Sequence, residues 1–230
     1  MLYLVATPIG NSQDMVLRAL GVFKEADFVL AEDTRKTCNL LSRFGIKKRI
    51  ISFYEHNEEK KTPWVLEELR KGNSVVLVSS AGTPTISDPG YKLIRACRDE
   101  SLPLTSVPGP SSIINALALS SLPRDKFIFL GYMPKKSGAR RKLAESVKKI
   151  NLTAVFFESP HRIVKCLKDL RDVLGERHIT VTREMTKKFE TVLEGTLSEA
   201  IKNFESKKAR GELTMILAKS FPSRKEILIA

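Results

Sequence analysis

Cysteine, histidine and tryptophan are scarce in this 230-residue chain, which has three cysteines, three histidines and one tryptophan. Cys38, Cys97 and Cys166 lie far apart in stretches that read as helical, so buried free thiols are expected rather than a disulfide framework or a zinc site. With only His56, His161 and His178, no H-E-x-x-H, no C-x-x-C and no carboxylate-rich calcium loop, a metal-free mechanism is favoured. There is no G-x-G-x-x-G and no G-x-x-x-x-G-K-[ST], which argues against a dinucleotide or triphosphate held by the usual glycine fingerprints. No window approaches eighteen consecutive apolar residues, and "MLYLVATPIG" has neither a basic leader region nor a small-residue cleavage site. A cytoplasmic protein without a membrane partner is the expectation. No internal repeat or low-complexity tract is present.

What is present is an ordinary globular composition, 42% hydrophobic and 28% charged, in a chain long enough for two compact halves. Short apolar runs alternate with helical patterns, the signature of βαβ units and a largely parallel sheet. The first half reads as strands at 2–6, 28–32, 49–53, 74–79 and 104–107. Helices fill the gaps: one begins near Asp14 with Leu17, Leu20 and Phe23 on its apolar stripe, and others cover about 35–44, 58–71, 90–100 and 111–120. The pattern restarts with strands at "FIFLGY", "TAVFFES", "ITVTRE", about "FETVLEG" and "ELTMILA", with helices near 138–150, 160–174 and 196–206. The expected fold class is α/β in two domains, 1–122 and 123–230, with the boundary near Leu122 to Asp125.

Charge is divided unevenly along the chain. Residues 1–120 carry 15 basic and 13 acidic groups, residues 121–230 carry 24 and 13, and nearly all of the net +13 is therefore in the second half. Such an excess indicates a polyanionic partner, because positive surface speeds encounter with phosphate backbones and releases their counterions. The segment "KKSGARRKLAESVKK" holds seven basic residues and one acid, and Lys135, Lys136, Arg140, Arg141 and Lys142 are the candidate phosphate contacts.

Four strands of the first half run into loops of unusual chemistry: "ATPIGN", "EDTR", "SSAGTPTISDPG" and "PGPSS". In open parallel sheets, ligands bind beyond the carboxyl ends of the strands, where loops and helix N-termini present free backbone N–H groups. Glycines and prolines there shape a backbone surface for a ligand.

With "FFESPHR", "TREMTKKFE" and "RGEL" added, these motifs resemble, in order and spacing, the bacterial small-subunit ribosomal RNA 2′-O-ribose methyltransferases of the tetrapyrrole methylase superfamily. The resemblance covers almost the whole chain. It implies two α/β domains with S-adenosylmethionine in the cleft between them, a homodimer, and methylation of a cytidine ribose in small-subunit RNA, free or in the assembled subunit. Carried over by position, it implies cofactor contacts at Ile9, Gly10, Ala81, Gly82, Thr83, Ile86, Ser111, Ser112, Phe157, Met185 and Leu213. Apolar and small residues suit a nucleoside and a sulfonium, which need walls and backbone hydrogen bonds more than charges.

The chain departs from the family pattern at Ser80, where an aspartate is usual, and at Thr85, where a glycine is usual. It also ends soon after "ELTMILA", where many members continue. A 2′-hydroxyl is a poor acid, so an acceptor for its proton is needed; the motifs offer Glu32, Asp33, Arg35, Asp88, Glu158, His161 and Lys187 as polar candidates. Asp33 equally suits a helix cap, and Asp88 a tie within its own loop. Two other functions stand beside the first: a methyltransferase of small molecules such as tetrapyrroles, and a ribosome-binding protein that has lost catalysis, for which Ser80 is the hint.

Overall fold

The computed structural model describes residues 1–206 and 210–219. Within them the chain forms two compact units, Met1–Ser111 and the part from Ser112 onward. The division falls eleven residues before the Leu122 boundary expected from sequence, because the helix Ser112–Leu119 packs on a strand of the second sheet.

The first unit is a five-stranded sheet of β1 (Leu2–Val5), β2 (Phe28–Ala31), β3 (Arg49–Ser52), β4 (Val75–Val78) and β5 (Leu104–Val107), in the order β3-β2-β4-β1-β5 with every pairing parallel. Parallel strands covered on both faces are apolar throughout, and all four residues of β2 and of β4 are buried. Alternate residues serve opposite faces. Val5, Val29, Ala31, Val76 and Val78 meet Ala19 and Phe23 of α1 (Leu17–Glu25) and Leu41 of α2 (Thr34–Arg43). Leu2, Phe28, Leu30, Val75 and Leu77 meet Val65 and Leu69 of α3 (Glu55–Arg70) and Leu93 of α4 (Tyr91–Asp99).

α1 starts later than the sequence indicates. Ser12–Asp14 form a short 3₁₀ turn, and Leu17, expected on the apolar stripe, is the first helical residue and 86% exposed.

The second unit comprises α5 (Ser112–Leu119), β6 (Phe127–Tyr132), α6 (Ser137–Ile150), β7 (Thr153–Glu158), α7 (Ile163–Leu174), β8 (His178–Arg183), β9 (Thr191–Thr196), α8 (Leu197–Ser206) and β10 (Leu213–Leu217). Its sheet, ordered β6-β7-β10-β8-β9, corrects the expectation of a largely parallel arrangement: only β6 and β7 run parallel, and the other pairings are antiparallel. The cause lies in the connections. β8 reaches β9 through the loop 184–190, without a crossover helix, so the two form a hairpin. Phe156, Ile179, Val181 and Met215 pack on apolar residues of α6, α7 and α8, while α5 lies against β10.

Candidate functional site

In the first sheet the chain leaves β1 toward β2 and leaves β4 toward β5, so the neighbours β1 and β4 send their connections in opposite directions. This is the switch point at which an open sheet forms a crevice beyond its carboxyl ends. The two loops that enter the crevice are tied by an isolated antiparallel bridge: Thr7 N–H donates to Gly82 O at 2.9 Å, and Gly82 N–H donates to Thr7 O at 2.9 Å. The Thr83 hydroxyl then reaches the Pro110 carbonyl at 3.3 Å, joining the loop after β5 to the other two. A Cβ on Gly109 would lie 3.0 Å from the Ala6 Cβ, which shows how closely the third loop passes the end of β1.

Ile9, Gly10, Ala81, Gly82, Thr83 and Ile86 are thus gathered in this unit. Ile9 and Gly82 are buried, whereas Ala81 and Ile86 stay open to solvent, Ile86 at 45%. An apolar side chain is thus left open to solvent beside a glycine whose backbone is held by its neighbour loop. Thr85, where the family pattern has glycine, is held at φ 74°, a conformation that strains a β-branched residue and that glycine adopts freely.

The polar part of the site sits at the ends of β2 and β4. Glu32 Oε2 accepts from Ser80 N–H at 3.2 Å and from the Ser80 hydroxyl. The serine that replaces the family's aspartate therefore donates to Glu32, where a carboxylate would repel it. Asp88 lies near the pair, and its carboxyl is pushed up to about 6 by burial and then by the negative charge of Glu32, against a hydrogen bond from Ser79. Glu58, buried on α3, fixes the end of the same loop: its Oε1 accepts from the backbone N–H groups of Gly90, Lys92 and Leu93, capping α4 where Gly90 has no side chain to do so.

Asp33 is a cap, accepting from Arg35 N–H at 3.0 Å and Lys36 N–H at 3.1 Å. The lowering of its pKa comes first from the Lys36 N–H bond. Arg35 lines the same cavity of about 550 Å³ as Glu32 and Ser80, together with Tyr54 and Lys36. Neither Tyr54 nor Lys36 was singled out from the sequence. The available signal for Tyr54 was its place just past the carboxyl end of β3, in a short loop that, like the one after β2, lacks glycine and proline.

An ionised Asp88 is costly, and the sign is definite. Its folded pKa lies above the ordinary carboxylate value, so the stability it leaves intact below about pH 4 is lost as pH rises through about 6. Asp88→Asn is expected to raise stability at pH 7 by about 1 kcal/mol, after discounting for the group's partial exposure, and to change nothing at pH 4. Thermal melts at the two pH values measure it; equal shifts at both would remove the Asp88 and Glu32 coupling.

In the second unit, Glu158 ends β7 buried, takes the Ser159 N–H at 2.7 Å and pairs with Arg162, while its Oε2 has no partner among the described residues. His161 is exposed beside them. Phe157 packs edgewise on Phe129 at 5.1 Å and against Tyr132 at 5.3 Å. Met185 is buried, and Leu213 belongs to the second core. Ser111 and Ser112 are half-buried at the start of α5. Lys187 is held between Glu184 and Glu212 at 3.0 and 2.8 Å; burial works against its charge, but those bonds raise it above the ordinary lysine range, so it stays protonated at neutral pH.

The basic segment divides. Arg140, expected to touch phosphate, is 3% exposed, ion-paired with Asp169 and bonded to the Pro134 carbonyl at 2.9 Å, because α6 turns this position onto α7. Arg141 is partly exposed but spans Asp169 and Asp172. Lys135, Lys136 and Lys142 are exposed and take part in no ion pair among the described residues. Of the cysteines, Cys97 and Cys166 are buried as expected, and Cys38 is exposed on α2. The described residues contain no group of side chains that could hold a metal ion and no helix long and apolar enough to cross a membrane.

Known proteins extend this picture. Ribosomal RNA small subunit methyltransferase I of Thermotoga maritima is 46% identical over 217 residues, spanning 94% of this chain and 97% of that protein. The protein of the same name from Halalkalibacterium halodurans is 42% identical over 216 residues, spanning 94% and 75%. Among solved structures, diphthine synthase superposes with a TM-score of 0.71 at 16% identity, covering 96% of this chain and 90% of its own. Uroporphyrin-III C-methyltransferase from Thermus thermophilus, complexed with S-adenosylhomocysteine, gives 0.64 at 20% identity and 94% and 96% coverage. The sequence pattern of the tetrapyrrole (corrin/porphyrin) methylases matches residues 1–201, from the first strand into α8. A pattern that continuous, laid over glycine loops tied at a switch point, makes the chain a member of the tetrapyrrole (corrin/porphyrin) methylase family.

Proposed function

We propose that this protein transfers a methyl group from S-adenosylmethionine to the 2′-oxygen of a cytidine ribose in small-subunit ribosomal RNA. The observation that carries the reading is the 46% identity, over 94% of the chain, to a protein named as a small-subunit ribosomal RNA methyltransferase. The tied loops support it. Ile9, Gly10, Ala81, Gly82, Thr83 and Ile86 hold the cofactor, and the resemblance adds Ser111, Ser112, Phe157, Met185 and Leu213. Bound there, S-adenosylmethionine supplies an electrophilic methyl carbon. The chain's part is alignment of the ribose oxygen and acceptance of its proton. Among the candidates, Asp88 is matched to proton transfer near neutral pH, being held at about 6 beside Glu32. Asp33 and Lys187 are spoken for by a helix cap and a carboxylate clasp. Arg35, Glu158 and His161 serve to position substrate. We place the protein in the cytoplasm, as a homodimer.

The test is methyl transfer from labelled cofactor to isolated small subunits and, separately, to a tetrapyrrole; transfer to the subunit alone is expected. Changing Lys135, Lys136 and Lys142 to glutamine should reduce the slope of log affinity for the subunit against log salt by about two to three units, with S-adenosylmethionine affinity within about twofold. Transfer only to the tetrapyrrole overturns the reading.

A further inference from the structure

The cavity at the ends of β2, β3 and β4 lies wholly within the first unit and combines three chemistries. On one side are Arg35 and Lys36, both exposed. The nearby Asp33 carboxylate is already taken up by backbone N–H groups, and neither cation forms an ion pair among the described residues. On another side is Tyr54, 40% exposed, with its backbone N–H fixed by Asn57 Oδ1 at 2.9 Å and its ring edge-on to His56 at 6.1 Å. The floor is Glu32, whose Oε2 binds Ser80 while its Oε1 accepts no hydrogen bond among the described residues.

Two unpaired cations, a rigidly based aromatic ring and an open carboxylate oxygen match, in turn, a phosphate, a base and a hydroxyl or amino hydrogen. We infer that this cavity takes one nucleotide of a single-stranded RNA segment, with its phosphate against Arg35 and Lys36, its base stacked on Tyr54, and Glu32 Oε1 accepting from a hydroxyl or amino group. The inference rests on the ribosomal RNA reading and names the pocket that reading requires. A volume of about 550 Å³ suits one nucleotide rather than a duplex. Proteins that act on or read single nucleotides of RNA take them unstacked and replace the lost stacking with an aromatic face. A small polycarboxylate fits less well: it would meet Arg35 and Lys36 but would also face the negative charge of Glu32 with Asp88 behind it.

The test uses the whole protein, a labelled single-stranded oligoribonucleotide followed by fluorescence anisotropy, and methyl transfer to isolated small subunits. Tyr54→Ala should weaken RNA binding roughly tenfold, and Tyr54→Phe, which keeps the face, should stay within about twofold. Arg35→Gln with Lys36→Gln should lower the salt slope by about one to two units. Affinity for S-adenosylmethionine should remain within about twofold in all of them. Unchanged RNA affinity in Tyr54→Ala together with an unchanged slope in the double variant would overturn the pocket, even if the wild-type protein methylates subunits. So would a wild-type protein that binds no RNA, or one whose Tyr54 and Arg35 variants lose a small polycarboxylate and keep RNA. If the variants lose RNA while the wild-type protein transfers no methyl group to subunits, the pocket stands and the methyltransferase reading falls.

Discussion

Asp169→Ala is expected to destabilise the second unit by about 3 to 5 kcal/mol, the loss associated with leaving one partner of a buried ion pair alone. Arg140 is 3% exposed, and Asp169 is its only carboxylate partner among the described residues; Asp169 also holds the Ser137 hydroxyl and Arg141. The remaining acceptors of Arg140, the carbonyls of Pro134 and Lys135, do not neutralise its charge. Replacing both members, Arg140→Met with Asp169→Leu, should recover most of the loss, because an apolar pair of similar volume avoids the burial of charge. Denaturant unfolding of the single and double variants measures the difference. A loss below about 1 kcal/mol in Asp169→Ala would mean that solvent reaches Arg140. The same pair bears on function: it anchors the start of α6, and through the Lys135 carbonyl it fixes the backbone that presents Lys135 and Lys136.

This division of the basic segment was hidden from the sequence for a simple reason. Lys135, Lys136, Arg140, Arg141 and Lys142 read as one cluster along the chain, but on a helix Arg140 points toward the packed face and Lys142 away from it. The acids that claim the arginines, Asp169 and Asp172, lie one helix later, out of range of any local reading. Strands were far more legible. "VVLV" and "FVLA" are buried on both faces, so their continuous apolar character follows directly from their position, and the strand ends fall within a residue or two of expectation. Pairing direction in the second sheet was not legible, since apolar strands pack equally well parallel or antiparallel and the β8 to β9 turn holds strained residues, Glu184 at φ 52° and Thr186 at φ 66°, in place of a familiar hairpin glycine.

At the site, the loops could be read because glycine and proline mark them, and their convergence follows from parallel topology. The interplay of Glu32, Ser80 and Asp88 could not: it depends on β2 and β4 being neighbours, with Ala31 opposite Val78 in register, which brings the two following loops together. The exchange of the family's aspartate for Ser80 gains its meaning only there. A hydroxyl that donates to Glu32 leaves two carboxyls at the site instead of three.

Gly82→Val is expected to lower S-adenosylmethionine affinity by roughly tenfold to a hundredfold in a protein that still folds, the equivalent of 1 to 3 kcal/mol of backbone strain. The cause is conformation. An added Cβ would lie 3.5 Å from Ile9 Cγ2 and 3.7 Å from the Pro110 carbonyl, both ordinary contacts, so space is available. The φ of 78° is what valine resists. Relief requires turning Gly82 out of the left-handed region, and both of its backbone polar groups are bonded to Thr7 at 2.9 Å. Any such turn breaks the bridge between the loops after β1 and β4 and moves Ile9 away from Ala81 and Thr83. The fold itself survives because the bridge lies beyond the ends of the strands, and the same loop already carries a β-branched residue, Thr85, at φ 74°. Gly82→Ala, which meets the same φ without branching, should fall between valine and the wild-type protein. Calorimetric titration orders the three; a folded Gly82→Val protein with unchanged cofactor affinity would place the methyl donor away from these loops, and the role proposed for Asp88 would fall with it.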